Sequence, residues 1–234
     1  MITTIIKYVC LVIGGYLIGN IYFARIIGKI KKIDITKQGS GNPGTMNMLR
    51  NQGFGMGMLT LVLDMLKGVS GALAGFLLFG GNWSSVDSIV GLYVGGLSVL
   101  VGNLYPVFYN FKGGKGAAVV YGMFFFADWK LGLAVFVIGF IYLLIMDYAV
   151  LTSFFMITAF TIVEAVRYIH FNSIAISILL FVIFFLMWFA HRQNIYRLLL
   201  GKENKVNFKA SLIKFKNKIV AKRNKKKYNP NEIG

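Results

Sequence analysis

The chain has 234 residues, of which 57% are hydrophobic, and its formal net charge is +17 at pH 7. A soluble globular domain with so much apolar surface would aggregate, so the composition excludes that class and indicates an integral membrane protein. The chain has a single cysteine, Cys10, so an internal disulfide is excluded. Cys10 lies in an apolar run and is expected to be a small core residue. With one cysteine and only two histidines, no metal site is expected.

Apolar runs long enough to cross a bilayer as helices recur along the chain. The run between residues 116 and 146 is too long for one helix and is split at Ala127-Asp128-Trp129-Lys130. The start of the chain has a signal-like apolar stretch without an Ala-x-Ala cleavage site, so we expect a retained first helix. The prediction is therefore an all-α membrane protein with seven hydrophobic helices, the fourth of them short: 5–27, 57–79, 88–108, 117–126, 131–146, 149–166 and 174–190.

Lysine and arginine concentrate after the first, third and last apolar runs and are sparse in the turns between the others. Loops on the cytoplasmic side carry such an excess of cations. We therefore expect a multi-pass protein of the bacterial cell membrane with its N-terminus outside, its C-terminus in the cytoplasm, and all its cationic loops on the cytoplasmic face.

The chain after residue 203 is strongly basic, and we separate it as a tail, 204–234, from a membrane domain, 1–203. Phe208, Leu212, Phe215 and Ile219 recur at helical spacing among lysines. This pattern is typical of an amphipathic helix at the surface of an anionic leaflet, with a disordered, solvated tail as the alternative. Nucleic-acid binding is not expected.

Three polar segments interrupt the apolar pattern: 39–50, 112–116 and 191–197. Irregular backbone is tolerated beside membrane helices only where it serves a buried or water-filled site. Each segment joins cations to free N–H groups or side-chain amides. We therefore expect the three segments to form one phosphate-binding site at the cytoplasmic face.

The first two segments offer different kinds of phosphate ligand. Arg50 offers a two-pronged guanidinium, and Lys115 offers a full charge beside glycines whose N–H groups can approach an anion. The G-x-x-x-x-G-K-[ST] pattern of a nucleotide-binding loop is absent, so ATP hydrolysis is not indicated. The alternative for the first segment is a glycine turn in which Ser40 or Asn42 caps the next helix.

His191, Asn194 and Arg197 follow each other at intervals of three, which places them on one face if the last helix continues. The alternative is a helix end whose basic residues complement its dipole. Two further pairs at the same spacing, Asp64 with Lys67 and Glu164 with Arg167, predict ion pairs. We expect the first pair inside the membrane and the second as a structural pair at the surface.

Several segments together resemble the PlsY family of bacterial acyl-phosphate:glycerol-3-phosphate acyltransferases over about residues 5–203. The order and spacing of these segments agree with the family pattern. The matching pieces are Asp34-Ile35, Gly39-Ser40-Gly41-Asn42, Asn47, Leu49-Arg50, Asp64, Lys67-Gly68, Pro106-Val107-Phe108, Phe111-Lys112-Gly113-Gly114-Lys115-Gly116, His191-Arg192, Asn194-Ile195, Arg197-Leu198-Leu199, Gly201 and Glu203.

The resemblance implies transfer of an acyl chain from acyl phosphate to the sn-1 hydroxyl of glycerol 3-phosphate, without cofactor or metal. Our hypothesis is electrostatic and positional catalysis, with the two phosphate-bearing substrates and membrane lipids as partners. The residues expected to act in catalysis are Ser40, Arg50, Lys115, His191 and Asn194. Those expected to bind substrate phosphate are Gly41, Asn42, Asn47, Lys67, Lys112, Gly113, Gly114, Gly116, Arg192 and Arg197.

The chain departs from the family pattern at several places, where it has Asn20-Ile21-Tyr22, Thr36, Met46, Asn103, Asp147 and Val150. These changes remove hydroxyl groups and two cations and add one anion. They leave open an alternative function, a non-catalytic or substrate-shifted relative that binds glycerol phosphate or anionic lipid. A transporter is disfavoured, because no inverted repeat is visible and the charges cluster at helix ends.

Overall fold

The computed structural model describes residues 1–227, with side chains as far as residue 221, and this part of the chain is all-helical apart from loops and short 3-10 turns. In chain order its α-helices are α1 (Ile2–Gly19), α2 (Phe23–Ile30), α3 (Thr45–Gln52), α4 (Phe54–Leu78), α5 (Val86–Leu104), α6 (Ala117–Ala127), α7 (Trp129–Met146), α8 (Ala149–Arg167), α9 (Ile174–Ala190), α10 (Arg192–Leu199) and α11 (Phe208–Lys227).

The seven predicted hydrophobic elements are all present. Five spans are long and apolar enough to cross a membrane: α1 continued by α2, α4, α5, α7 and α8. Helix α9 reaches that length together with α10, through a bend of 50°, and α6 is the short seventh element. The predicted break before α7 is also confirmed, because the Asp128 carboxylate accepts the N–H groups of Lys130 and Leu131 at 3.0 Å and caps α7 there.

The first apolar run is broken at residues 20–22, where we expected one continuous helix. Helix α1 ends at Gly19 and α2 begins at Phe23. Backbone carbonyls freed by such a break need donors, since water is scarce at this depth. The ammonium of Lys67 donates to the Ile21 carbonyl at 2.6 Å and lies 3.4 Å from the Gly19 carbonyl.

The first polar segment contains an unexpected helix, α3. Its N-cap is Gly44, and the next helix, α4, is capped by Gly53 at φ +88°. The alternative interpretation, in which Ser40 or Asn42 caps a helix, is therefore wrong. Both residues lie in the loop before α3, which leaves their side chains available for other contacts.

Helices α4 and α5 lie unusually close together because glycines face each other across their interface. A Cβ on Gly75 would collide with the carbonyl of Gly91, and a Cβ on Gly95 with the carbonyl of Gly71. Small residues spaced by four allow helix backbones to approach in this way inside membranes. The loops that reach the site are connected to this closely packed α4–α5 pair, which fixes their position.

The lipid-facing side of α1 carries Cys10, whose side chain is exposed. The expectation that Cys10 is a core residue is therefore wrong. The face of α1 that packs inward carries Leu11, Gly15 and Gly19 instead, and the two glycines lie against the backbone of α5.

Glu164 and Arg167 pair as expected, at 3.5 Å, but only Arg167 reaches the surface, with its side chain 36% exposed. Glu164 is fully buried in α8 and accepts a hydrogen bond of 2.6 Å from the Tyr93 hydroxyl. Arg167 also bonds Asp128 at 3.1 Å. This cluster joins α5, α7 and α8 at the end of the bundle remote from the polar segments, so its role is structural.

Residues 204–208, called here the C-terminal strap, comprise the end of the loop between α10 and α11 and the first residue of α11. Val206 and Phe208 are buried in a cluster with Leu49 of α3 and Leu143 of α7. The strap therefore belongs to the helix bundle, although we assigned its residues to a separate tail starting at 204. Helix α11 itself is present as expected, up to Lys227, and its placement at a leaflet surface stays a prediction.

Candidate functional site

A cavity of about 200 Å³, partly open to solvent, lies among α3, α4, α6, α7, α8 and α10. All three polar segments contribute to its walls, so residues far apart in sequence meet in one place. Ten of the predicted site residues line the cavity: Ser40, Asn42, Asn47, Arg50, Gly114, Lys115, Gly116, His191, Asn194 and Arg197.

Five predicted binding residues do not reach the cavity: Gly41, Lys67, Lys112, Gly113 and Arg192. Lys112 points away from the cavity wall and is exposed. Arg192 is also exposed; it donates to the Phe189 carbonyl at 3.0 Å and lies over the ring of Phe189. Gly41 shapes the loop, with φ +70° and its N–H donating to the Gln38 carbonyl. These five positions therefore support the site or lie outside it.

Lys67 is a structural cation and not a phosphate ligand. Its side chain is 3% exposed, and its ammonium lies 3.3 Å from Asp64, 2.6 Å from the Ile21 carbonyl and 2.9 Å from the side-chain oxygen of Asn103. An ammonium has three protons to donate, and these partners use them all. The predicted Asp64–Lys67 pair is confirmed, and the predicted phosphate contact of Lys67 is wrong.

Asn47 lies in the cavity wall, but its side-chain amide is used to hold the loop before α3. Its Nδ2 donates to the carbonyls of Ile35 and Gln38, both at 3.0 Å, and its Oδ1 accepts the N–H of Ser40 at 3.1 Å. The amide therefore has no capacity for a phosphate. Asn47 instead fixes the position of Ser40 at the cavity.

The second polar segment packs so closely on α5 that only glycine fits at two of its positions. A Cβ on Gly113 would collide with the carbonyls of Asn103 and Leu104, and Gly116 has φ +79°. The Gly114 N–H donates to the Asn103 carbonyl and to the Tyr22 hydroxyl, both at 3.0 Å. The loop is thereby fixed where it delivers Lys115 to the cavity.

Helix α6 begins directly after this loop, and its first turn faces the cavity. Gly116 is its N-cap, and the next three residues, 117–119, line the cavity. The first N–H groups of a helix have no partner within the helix and carry a partial positive charge. This end of α6 therefore adds anion-binding capacity beside the Lys115 ammonium.

Lys115 is the cation in the cavity whose charge is least compensated. Among the side chains that the structure describes, up to residue 221, its ammonium has no hydrogen-bond or salt-bridge partner. Burial lowers the pKa of Lys115 to about 8; the carboxylate of Glu203 opposes this shift, and the positive charges of Arg197 and Arg50 add to it. A lysine held in this state binds a dianion strongly, because the dianion restores its proton affinity.

His191 lies where α9 ends and α10 begins, and its side chain is only 3% exposed. Its Nδ1 is 2.9 Å from the Met187 carbonyl. Since a carbonyl can only accept, Nδ1 carries the proton and Nε2 of the neutral ring is an acceptor. The bend between α9 and α10 directs this acceptor into the cavity.

Asn194 offers a second buried acceptor on the same side of the cavity. Its Nδ2 donates to Glu203 at 2.7 Å, which fixes the orientation of the amide. Its Oδ1 is buried and has no hydrogen-bond partner. Buried polar atoms without a partner are rare in folded proteins, so this oxygen is well placed to accept from a bound hydroxyl.

Glu203 compensates one of the cations. Its carboxylate accepts from Arg197 at 2.9 Å as well as from Asn194. Arg197 is thus held at the cavity wall with its charge paired. Because Asp64 is paired with Lys67, the two positive charges left without a carboxylate partner at the cavity are those of Arg50 and Lys115.

Arg50 reaches the cavity, but not with the free two-pronged edge that we expected. Its Nε donates to the Lys205 carbonyl at 3.0 Å, and its Nη2 donates to the Asn204 carbonyl at 2.9 Å. That edge of the guanidinium is therefore occupied by the C-terminal strap. Three of its five N–H donors remain for a ligand. Burial lowers the pKa of Arg50, although arginine stays protonated at physiological pH.

The departures from the family pattern fall into two groups. Thr36 bonds Asp34 at 2.6 Å outside the cavity, and Asp147 accepts the Asn207 N–H at 2.9 Å, so its negative charge anchors the strap. Met46, Asn103 and Val150 line the cavity. These three positions are the departures that a bound ligand can meet.

Two hydroxyl groups that sequence analysis did not single out lie near the positions where hydroxyls are missing. The buried hydroxyl of Thr45, next to Met46, lines the cavity and has no hydrogen-bond partner. Ser153 lies one turn after Val150 on α8 and also lines the cavity. Both could have been found from the sequence by looking for hydroxyl residues beside Met46 and one helical turn from Val150.

A large part of the cavity wall is apolar. Its side chains come from α4, α7, α8 and the C-terminal strap: Met58, Leu61, Phe136, Phe140, Leu143, Met156 and Phe208. A cavity with cations and hydrogen-bond acceptors at one part and a long apolar wall at another suits an amphiphile with an anionic head.

Comparison with protein-family models gives a match over residues 9–201 to the family described as glycerol-3-phosphate acyltransferase. Among curated relatives, the chain is 37% identical to the glycerol-3-phosphate acyltransferase of Aquifex aeolicus, over 85% of this chain and 99% of that protein. It is 32% identical to that of Shouchella clausii, over 88% of this chain and 98% of that protein.

Two solved structures of PlsY (YgiH), an integral membrane glycerol 3-phosphate acyltransferase, resemble the fold. One is its glycerol 3-phosphate form, with a TM-score of 0.74, and the other its lysophosphatidic acid form, with a TM-score of 0.73. Each is 33% identical in sequence and covers 85% of this chain and 94% of the other.

Proposed function

Since the chain belongs to the glycerol-3-phosphate acyltransferase family, we propose that it transfers an acyl chain from acyl phosphate to the sn-1 hydroxyl of glycerol 3-phosphate. The products are lysophosphatidate and inorganic phosphate. One observation carries the proposal: the ammonium of Lys115 and the unpartnered Oδ1 of Asn194 open into a single cavity that also has a long apolar wall.

Phosphate binding is assigned to the cationic side of the cavity. Lys115 and the first N–H groups of α6 hold the phosphate of the acyl donor, whose chain lies along the apolar wall. The remaining donors of Arg50, with Ser40 beside it, hold the phosphate of glycerol 3-phosphate. Two dianions so close together repel each other, and the uncompensated charges of Lys115 and Arg50 offset that repulsion.

The acceptors opposite these cations orient the reacting hydroxyl. A hydroxyl has one proton to donate, and Nε2 of His191 or Oδ1 of Asn194 can receive it as a hydrogen bond. The hydroxyl oxygen then forms a bond to the acyl carbon, and the bond from that carbon to the phosphate oxygen breaks. The hydroxyl proton leaves with the inorganic phosphate.

No covalent intermediate is required in this scheme. Acyl phosphate is already an activated donor, so alignment of the two substrates and stabilisation of charge are sufficient. The His-x-x-x-x-Asp pattern of other acyltransferases is not used here, since Tyr196 follows His191 at that spacing and Ala175 follows His170.

The same proposal includes a location in the bacterial cell membrane with the cavity facing the cytoplasm. The loops that build the cationic wall are the lysine-rich ones, in agreement with the positive-inside rule. Lysines of α11 would attract an anionic leaflet by about 1 kcal/mol each.

The direct test uses the full-length protein in lipid nanodiscs with palmitoyl phosphate and labelled glycerol 3-phosphate. We expect labelled lysophosphatidate, from which an sn-1-specific lipase removes the unlabelled palmitate and returns the label to water-soluble glycerol 3-phosphate. Palmitoyl-CoA at the same concentration serves as the comparison donor. If glycerol 3-phosphate binds and no donor gives labelled product, the non-catalytic alternative is correct.

A further inference from the structure

The C-terminal strap contributes an aromatic side chain to the apolar wall of the cavity. Phe208 is 3% exposed and lines the cavity together with Phe140 and Leu143 of α7. The match to the family model ends at residue 201, so this part of the wall is supplied by residues outside the matched region.

The ring of Phe208 fills the space between two helices. It packs edge-to-face against Phe54 at the start of α4, with ring centroids 5.3 Å apart, and against Phe140 of α7, with centroids 5.1 Å apart. Both contacts have the geometry that aromatic pairs prefer. The ring therefore closes the apolar wall between α4 and α7.

The backbone of the strap is held on both sides of the cavity. From α3, Arg50 donates to the carbonyls of Asn204 and Lys205. From the α7–α8 turn, Asp147 accepts the N–H groups of Val206 and Asn207, both at 2.9 Å, through its carbonyl and its carboxylate. These four hydrogen bonds fix where the Phe208 ring enters the wall.

We propose that Phe208 is a specificity-determining residue that limits the length of acyl chain the cavity accepts. The proposal rests on the proposed function for the identity of the ligand, an amphiphile with a dianionic head and a linear saturated chain. Removing the ring opens the wall between Phe54 and Phe140, and a longer chain then passes through the gap.

Alkylphosphonates test this without turnover, because they carry the same kind of head group and cannot transfer a chain. Binding of dodecylphosphonate and hexadecylphosphonate is measured by calorimetry with protein in phosphatidylcholine nanodiscs, after subtraction of uptake by empty discs. We expect Phe208→Ala to shift the ratio of the two affinities about tenfold towards the longer chain, and Phe208→Trp to shift it the other way.

The chain offers a matched control on the same helix. Phe215 contacts the same Phe54 ring, at 5.3 Å, but is 36% exposed and does not line the cavity. Phe215→Ala should leave the affinity ratio within about twofold of wild type. Gel filtration and thermal unfolding show whether each variant is folded. If Phe208→Ala does not fold, the affinity ratio is measured with Phe208→Leu instead.

An unchanged ratio in folded Phe208 variants, an equal shift in Phe215→Ala, or no binding of either phosphonate would overturn the proposal. The transfer assay is scored separately. A wild-type protein without transfer but with Phe208-dependent chain selectivity refutes the proposed function alone, and active transfer without that selectivity refutes this inference alone.

Discussion

The side-chain hydroxyl of Tyr22, in the break between α1 and α2, donates to the backbone carbonyl of Asn103 in α5. Both residues stand where the chain departs from the family pattern. The same hydroxyl accepts the Gly114 N–H at 3.0 Å, so it joins α5 to the loop that carries Lys115. The side-chain oxygen of Asn103 meanwhile accepts from Lys67. The two departures thus support each other and position the glycine-rich loop.

Replacing Tyr22 with Phe removes this bridge and keeps the ring. We expect the KM for the proposed donor, acyl phosphate, to rise about fivefold with a smaller change in kcat, because a hydrogen bond contributes about 1 kcal/mol and our proposal assigns the donor phosphate to this loop. Tyr109→Phe is the control, since its ring packs on Tyr22 at 5.2 Å and its hydroxyl lies outside the loop contacts. An unchanged KM would show that the loop holds its position without the bridge.

The contact between Tyr22 and Asn103 shows where sequence analysis stops. Apolar runs locate the seven hydrophobic elements because hydropathy is a local property of the chain. The break at residues 20–22 has no such signal, since its carbonyls are satisfied by a lysine from another helix. The family pattern marked Tyr22 and Asn103 as unusual, but only the folded chain places them in contact.

Two lysines of one loop make a matched pair for the phosphate site. Lys115 lines the cavity, while Lys112, three residues earlier, is exposed and lies outside it. We expect Lys115→Ala to lower kcat/KM by at least about 100-fold and Lys112→Ala to change it less than threefold. Steady-state transfer assays in nanodiscs, with thermal unfolding to confirm folding, make the comparison. Equal losses in both variants would mean that net charge of the loop matters and not the position of Lys115.

The pKa of Lys115 predicts the alkaline limit of the reaction. Burial lowers this pKa to about 8, so the free protein loses the charge as the pH rises through 8. We expect kcat/KM to fall above that pH. The decline in kcat should begin at higher pH, because a bound phosphate dianion raises the pKa of the ammonium.

Lys115→Arg is the control for this pH profile, since arginine keeps its charge across the whole range. Its kcat/KM, whatever its absolute value, should stay level from pH 7 to about 9.5. A wild-type profile that is level over the same range would assign the alkaline limit to another group.

Lys67 was expected at the phosphate site for a reason that the structure explains. Its spacing from Asp64 correctly predicted an ion pair, but spacing along one helix does not show what other helices bring near it. The Ile21 carbonyl and the Asn103 side chain come from elements distant in sequence, and together they use the ammonium. Only 3% of Lys67 is exposed, so it is a residue of the core.

Removing Lys67 should therefore affect stability more than binding. Lys67→Met leaves the Asp64 carboxylate buried without its cation, which costs about 3–5 kcal/mol. We expect a markedly lower unfolding temperature, partly restored in the double variant Asp64→Asn, Lys67→Met, where no buried charge remains. Thermal unfolding in a single detergent compares the three proteins. A single variant as stable as wild type would contradict the structural role.

Substituting each of the two histidines in turn separates an effect on catalysis from an effect of losing any histidine. His191 is buried at the cavity, with Nε2 as an acceptor, whereas His170 is exposed in the turn between α8 and α9. We expect His191→Ala to lower kcat about 100-fold or more, since it removes the acceptor that our proposal assigns to the reacting hydroxyl, and His170→Ala to leave kcat unchanged. His191→Asn can retain an acceptor in the cavity, so part of the lost kcat should return. If His191→Ala keeps near-normal kcat while the protein stays folded, the hydroxyl is oriented by Asn194 alone, and the Oδ1 of that residue becomes the group to alter next.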